Sequence, residues 1–200
     1  EYLPELINHC EGRGITFMST AHDWEAIEIL DRFNVPAFKV GSGDMTNLPF
    51  LRKMAQKMRP IILSTGMGDL GEVEEAVDTV RSVGNERLIL LHAVTSYPAR
   101  FEDVNLRAML TLEQAFRVPV GYSDHTPGLE ASLAAVAMGA RVIEKHFTLN
   151  RSMPGPDHTS SLEPQELKSL MHGIRLVETA LGNGIKRPAQ VEQDIKVVAR

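Results

Sequence analysis

Short apolar runs alternate with longer segments of mixed polarity along most of the chain. Six of the runs are rich in aliphatic or β-branched residues and therefore predict strands. They lie at residues 15–20, 37–40, 61–64, 88–93, 118–122 and 141–144. Successive runs begin roughly 20 to 30 residues apart, which is the length of one strand plus one crossover helix. The pattern predicts a repeated βα unit.

The segments between the runs carry apolar residues at helical spacing. Helices are predicted over residues 3–11, 23–33, 70–83, 129–138 and 163–181. Strands that are nearly all apolar, with helices between consecutive ones, indicate a parallel sheet covered on its outside. No Gly-x-Gly-x-x-Gly turn opens the first unit, which disfavours a dinucleotide-binding doubly wound sheet. We therefore predict an α/β fold of the (β/α)8 TIM-barrel type.

The number of predicted units limits how much of a barrel the chain can supply. A closed (β/α)8 barrel takes eight units and about 250 residues, whereas six units are found in 200 residues. We therefore expect a partial barrel of about six units that lacks the two N-terminal ones. Residues 1–184 would form this domain. Residues 185–200 are polar and carry a proline, so they are predicted to be a linker towards a further domain.

The composition narrows the class of protein. With 43% hydrophobic and 24% charged residues, the chain can bury one sizeable core. Cys10 is the single cysteine, so an internal disulfide is excluded. The net charge of -5 argues weakly against nucleic acid as a partner. No apolar stretch is long enough to span a bilayer, and the first residues lack the features of a signal peptide. We expect a cytoplasmic protein without a membrane partner.

Polar side chains follow the last two predicted strands. Side chains alternate across a strand, so Ser123 and His125 should share one direction, as should Glu144 and His146, which leaves Lys145 facing outward. Two imidazoles from adjacent strands could then converge. Neutral histidine is a common ligand of divalent transition metals.

Acidic neighbours support a metal site at these histidines. Asp124 and Glu144 could orient the two rings by hydrogen bonding to them without touching the metal. The alternative is that each histidine is an ordinary core or rim residue.

A lysine and a glycine-rich turn follow an earlier strand. Lys39 precedes Val40-Gly-Ser-Gly-Asp44, whose backbone N–H groups and Ser42 hydroxyl can face a phosphate or carboxylate. Thr20 and residues 64–68 would add hydroxyl groups at the same rim. The alternative for the lysine is a solvated side chain on an ordinary βα turn. Asp157 lies in a Pro/Gly-rich loop of the kind in which binding residues concentrate.

The chain resembles the sialic acid synthase family, which comprises the N-acetylneuraminate synthases and close relatives making legionaminic and pseudaminic acids. The similarity covers essentially the whole chain, and the order and spacing of its motifs make it specific. The matching segments are Phe38-Lys-Val-Gly-Ser-Gly-Asp44, Ser64-Thr-Gly-Met67, Tyr97-Pro98, Gly121-Tyr-Ser-Asp-His-Thr126, Glu144-Lys-His-Phe-Thr-Leu149 and Pro154-Gly-Pro-Asp-His158.

The resemblance implies a reaction. Phosphoenolpyruvate would condense with an N-acetylated hexosamine, typically N-acetylmannosamine, and water to give a nine-carbon 2-keto sugar acid and phosphate through C–O cleavage. A divalent metal, Mn²⁺ or Mg²⁺, would be held by His125 and His146. The two histidines and Glu144 would be the catalytic residues.

The resemblance also implies which residues bind substrate. Lys39, Thr20, Ser42 and Ser123 would hold phosphoenolpyruvate, and Glu144, Asp157 and Tyr97 would lie around the metal and the sugar. Thr95 stands where the family often has an asparagine that contacts phosphoenolpyruvate.

The resemblance further implies parts outside these 200 residues. They are two more barrel strands and a C-terminal antifreeze-like domain that supplies an arginine to the partner subunit in a homodimer. We therefore expect the isolated segment to be nearly inactive.

Three other functions stay open at this point. A related phosphoenolpyruvate-dependent aldolase would act on a phosphosugar. A metal-dependent barrel hydrolase usually has a His-x-His on its first strand, which is lacking here. The third possibility is a sugar-binding protein without catalysis.

Overall fold

Five parallel strands form one sheet, and their order in space follows their order along the chain. The computed structural model describes residues 2–199. The strands are β1 (Phe38–Val40), β2 (Ile61–Ser64), β3 (Leu88–Ala93), β4 (Val120–Asp124) and β5 (Ile143–Lys145). Each pairs in parallel with its neighbours in the sequence. The strands and their covering helices form a half-barrel.

One helix lies between each pair of consecutive strands, and these connecting helices cover one side of the sheet. In chain order, the helices of the described residues are α1 (Leu3–Gly12), α2 (Trp24–Arg32), α3 (Leu48–Ala55), α4 (Leu70–Arg81), α5 (Ala108–Phe116), α6 (Glu130–Ala137), α7 (Pro164–Leu181) and α8 (Gln193–Ala199). The connecting helices are α3 to α6. Capping residues determine where some of these helices begin. Asp69 and Glu72 form a reciprocal capping box at α4, and the Asp23 carboxylate accepts from Ala26 N–H at α2.

The apolar core lies between the sheet and these helices. Phe38, Ile61, Leu63 and Leu90 point from the strands and are fully buried. They pack in one cluster with the buried faces of α3, α4 and α5. No helix among residues 2–199 is both long enough and apolar enough to cross a membrane.

The predicted strand at residues 15–20 is the main correction to the fold. Only Thr20 bridges to Lys39, and the residues before it form no ladder. Ile15 and Met18 are exposed to 62% and 36%. An apolar run becomes a strand when its backbone groups find partners over several consecutive residues, and this segment finds one.

Other boundaries differ in smaller ways. The structure has α3 and α5, which had not been predicted; both are short, and α3 begins with a proline in its first turn. The observed β4 and β5 begin two residues later than their predicted strands. Within 185–200, the predicted linker contains the short helix α8.

Gly121 permits the close approach of β4 to β5. A Cβ atom at this position would lie against the carbonyl oxygen of Val142 and 2.7 Å from Leu91 Cδ2. We expect Gly121→Ala to destabilise the fold by about 3 kcal/mol or more, because part of the overlap is with backbone that cannot move aside. Urea unfolding would measure the loss.

A matched control is Gly43→Ala. A Cβ atom there meets nothing within 4 Å, so the free energy of unfolding should change by less than about 1 kcal/mol. Equal effects of the two substitutions would contradict the steric explanation.

Candidate active site

The centre of the site is a set of side-by-side residue pairs on β4 and β5. Ser123 is in register with Glu144, and the Ser123 hydroxyl donates to Glu144 Oε1 at 2.6 Å. Two residues further along each strand, the rings of His125 and His146 lie with their centroids 5.3 Å apart and their planes at 70°. The predicted convergence of the two imidazoles is confirmed. Because side chains alternate along a strand, both pairs lie on the same face of the sheet, which is opposite the connecting helices and is called the inner face below.

The pair between them, Asp124 and Lys145, lies on the opposite face of the sheet. Asp124 is fully buried, and its Oδ2 atom is 2.9 Å from Lys145 Nζ. Its Oδ1 atom accepts from the backbone and hydroxyl of Thr126, and Oδ2 also accepts from the hydroxyl of Ser132 on α6. Asp124 therefore does not bond directly to either histidine ring, contrary to expectation. Lys145 faces away from the inner face, as predicted, but its side chain is only 4% exposed.

A backbone carbonyl orients His125 instead. The Nδ1 atom of His125 lies 2.7 Å from the carbonyl oxygen of Val94, so Nδ1–H donates to it and the lone pair stays on Nε2. Nε2 is 3.5 Å from the Ser123 hydroxyl on the inner face. Burial lowers the pKa of His125, and the neighbouring His146 lowers it further. The neutral, ligand-competent form is therefore favoured.

Tyr97 and Asp157 border the histidine pair. The Tyr97 ring centroid is 4.2 Å from that of His125 and 5.3 Å from that of His146. Asp157 Oδ2 is 3.7 Å from His146 Nδ1. Burial raises the pKa of the Tyr97 hydroxyl, and the charges of Asp157 and Glu144 raise it further. Tyr97 is therefore a neutral phenol that packs against both rings.

Lys39 reaches the same site from the far edge of the sheet. Its ammonium group lies 3.4 Å from Glu144 Oε2 and donates to Ser64 Oγ at 2.9 Å. In a flat sheet, four strand spacings would separate β1 from β5 by about 19 Å. The contact therefore shows that the sheet curls, so that inner-face side chains of its first and last strands meet. The side chain of Lys39 is 12% exposed.

Ser42 and Thr95 meet around Gly66, next to Ser64. The backbone N–H of Gly66 donates to Ser42 Oγ at 3.0 Å. A Cβ atom on Gly66 would lie against Thr95 Oγ1 and 2.8 Å from Ser42 Oγ. Thr20 lies beside Lys39 through its backbone bridge. The glycine therefore allows two hydroxyl-bearing segments to approach each other.

The structure brings most of the predicted site residues into one connected cluster. It contains Lys39, Ser123, Glu144, His125, His146, Tyr97 and Asp157. Thr20, Ser42 and Thr95 lie beside it. Sequence reasoning missed the carbonyl of Val94, for which no side-chain signal exists. It placed the hydroxyl of Ser64 at this rim, where Ser64 accepts from Lys39, but did not include Ser64 among the substrate-binding residues.

The two imidazoles fit a divalent ion with exchangeable positions. Two imidazoles that bind one ion through nitrogens at about 2.1 Å place their ring centroids about 5 Å apart, close to the observed 5.3 Å. Among residues 2–199 no group of three or more His, Cys, Asp or Glu side chains could hold a metal. An ion held by two imidazoles would keep positions open for water or substrate, as ions in catalytic sites do.

Parallel strands, outer helices and a polar cluster at the carboxyl ends of the strands define a TIM-barrel-like protein. The family model described as NeuB family matches residues 1–186. The chain belongs to this family, and the resemblance noted in the sequence is confirmed.

Three similar proteins illustrate the relationship. An N,N'-diacetyllegionaminic acid synthase from Campylobacter jejuni is 51% identical over 199 residues, which cover 98% of this chain and 60% of that protein. The human N-acetylneuraminate-9-phosphate synthase is 43% identical over 184 residues, covering 92% and 51%. The crystal structure of an N-acetylneuraminic acid synthetase from Leptospira borgpetersenii has a TM-score of 0.90 at 36% identity, covering 97% and 68%. The chain thus spans about half to three fifths of the two curated relatives.

Proposed function

We propose that the chain carries the active site of a synthase that condenses phosphoenolpyruvate with an N-acetylated hexosamine of the N-acetylmannosamine type. The products would be a nine-carbon 2-keto sugar acid and phosphate. The observation that carries the proposal is the single cluster that joins the Lys39 ammonium group, the Glu144 carboxylate and the two imidazoles. Family membership and the names of the relatives support it.

Lys39 is the residue that would hold the anionic substrate. Its ammonium group would pair with phosphoenolpyruvate, and hydroxyls of Thr20, Ser42 and Ser123 would orient it. Thr95, which borders Ser42 across Gly66, would add a contact at the same end. A Schiff base at Lys39 is not required, because phosphoenolpyruvate offers no ketone to condense with.

His125 and His146 would hold the metal, with Asp157 and Tyr97 beside it. A bound Mn²⁺ or Mg²⁺ would act as a Lewis acid on the aldehyde oxygen of the sugar. C3 of phosphoenolpyruvate attacks the aldehyde carbon, and the aldehyde oxygen ends as a hydroxyl. Water adds at C2, the bond between C2 and the phosphate oxygen breaks, and phosphate leaves.

Glu144 would accept the proton of the added water. Its carboxylate is held by Ser123 on one oxygen and by Lys39 on the other. A carboxylate fixed at the reacting carbon can accept a proton as water adds. Glu144 is therefore assigned as the general base.

Isotope transfer tests the reaction. The intact protein, given Mn²⁺, phosphoenolpyruvate and N-acetylmannosamine in H₂¹⁸O, should place ¹⁸O at C2 of a nine-carbon acid and release unlabelled phosphate. Label in the phosphate would contradict C–O cleavage. A product formed only with phosphorylated, non-acetylated sugars would favour the phosphosugar aldolase instead, and mass spectrometry distinguishes these outcomes.

The arrangement of the intact protein is a further part of the proposal. The half-barrel and the Thr20 bridge would belong to a (β/α)8 barrel in a cytoplasmic homodimer. Residues 1–184 would lie in the barrel domain, and residues 185–200 would lead towards an antifreeze-like domain. The greater length of the curated relatives supports the further barrel units and the further domain.

A further inference from the structure

The Asp124–Lys145 ion pair lies directly behind the two histidines. Each member precedes one histidine in the chain, and Asp124 and Lys145 are register partners on β4 and β5. Only 4% of the Lys145 side-chain surface is exposed, and none of that of Asp124. The pair therefore links the two strand ends from the face opposite the site.

The surrounding hydrogen bonds extend this link to the loop and the helix that follow β4. Lys145 Nζ also donates to the carbonyl oxygen of Thr126 at 2.6 Å. Asp124 accepts from the Thr126 backbone at 2.8 Å and from Ser132 on α6 at 2.6 Å. His125 thus sits between two residues, Asp124 and Thr126, that are both bound to Lys145.

A buried ion pair is a costly way to stabilise a fold, because both charges lose their water. An apolar pair at the same positions would fill the space between sheet and α6 without that cost. Unlike apolar contacts, the hydrogen bonds of the charged pair depend on orientation. They therefore fix the spacing and rotation of two neighbouring strand ends. On the inner face, that spacing sets the distance between the imidazoles.

We propose that Asp124 and Lys145 are positioning residues that hold His125 and His146 at the separation required to bind one divalent cation. The inference rests on the proposed metal site. It predicts that metal affinity depends on two residues that cannot touch the metal, since their side chains lie on the other face of the sheet. Supporting contacts of this kind typically change metal affinity by about 10- to 100-fold.

Mn²⁺ titration of the intact protein, followed by electron paramagnetic resonance of free and bound ion, tests the inference. Lys145→Met should weaken Mn²⁺ binding by at least about tenfold and alter the spectrum of the bound ion. Lys57→Met is the matched control, because Lys57 is a largely buried lysine that bridges Glu28 and Asp31 away from the site. It should lower the melting temperature while leaving Mn²⁺ affinity within about twofold.

A folded Lys145→Met protein with unchanged Mn²⁺ affinity would overturn the inference and leave the metal site standing. If that variant does not fold, the Mn²⁺ affinity of Ser132→Ala tests the inference instead. This substitution removes one hydrogen bond to Asp124 and keeps the ion pair. A loss of about twofold or more supports positioning, and unchanged affinity overturns it. Absence of Mn²⁺ binding by the unaltered protein would refute the metal site itself, and the inference with it.

Discussion

Replacement of His125 by alanine is expected to abolish Mn²⁺ binding and to lower kcat for phosphate release by about 1000-fold or more. His125 and His146 are the two imidazoles proposed to hold the ion, so the substitution removes one of these two ligands. Lewis-acid activation is worth several kcal/mol, and each 1.36 kcal/mol changes a rate tenfold. Metal titration and turnover of the intact protein measure both effects.

The control for this substitution is His172→Ala. His172 lies exposed on α7, so its removal should leave metal affinity and turnover within about twofold of the unaltered protein. If the His125→Ala protein kept its Mn²⁺ affinity and its rate, the imidazole pair would not be the metal site.

Replacement of Lys39 by methionine is expected to lower kcat/KM for phosphoenolpyruvate by about 100-fold or more. The substitution removes a largely buried ammonium group that would pair with a highly charged anion. A charge-assisted hydrogen bond to such a group contributes about 1.5–3 kcal/mol, and leaving Glu144 without its cation adds to the loss. Steady-state kinetics with phosphoenolpyruvate varied at saturating sugar measure the effect.

Lys53→Met separates this effect from a general change in charge. Lys53 pairs with Glu28 on the outer helices, where its side chain is 39% exposed. Its removal should change kcat/KM by less than about twofold, since exposed ion pairs contribute little. An effect of Lys39→Met confined to the KM of the sugar would contradict the assignment of Lys39 to phosphoenolpyruvate.

The sequence carried enough information to place the inner-face pairs of β4 and β5. Alternation along a strand fixes which side chains share a face, so Ser123 with His125 and Glu144 with His146 could be predicted without coordinates. The limits of β2 and β3 were predicted to the residue. For β2 the signal is clear, because its run lies between Pro60 and Thr65.

The other contacts of the site depend on which residues pack against each face of the sheet, and the sequence pattern does not indicate this. Alternation indicates that Lys145 points away from the inner face, but not that the Asp124 carboxylate and the Thr126 carbonyl receive its ammonium group there. Nor does it indicate that the Ser132 hydroxyl donates to the same carboxylate. The carbonyl of Val94 that orients His125 has no side-chain signature. The strand expected at residues 15–20 failed for a related reason, since an apolar run does not specify its hydrogen-bonding neighbours.

The ion pair between Lys39 and Glu144 joins the first and last strands of the sheet. The lysine lies on β1, whereas the carboxylate lies on β5 and the second imidazole directly follows it. The proposed site is therefore complete only while β5 is docked. Release of that one strand would withdraw a carboxylate and an imidazole from the proposed site and leave the lysine in place.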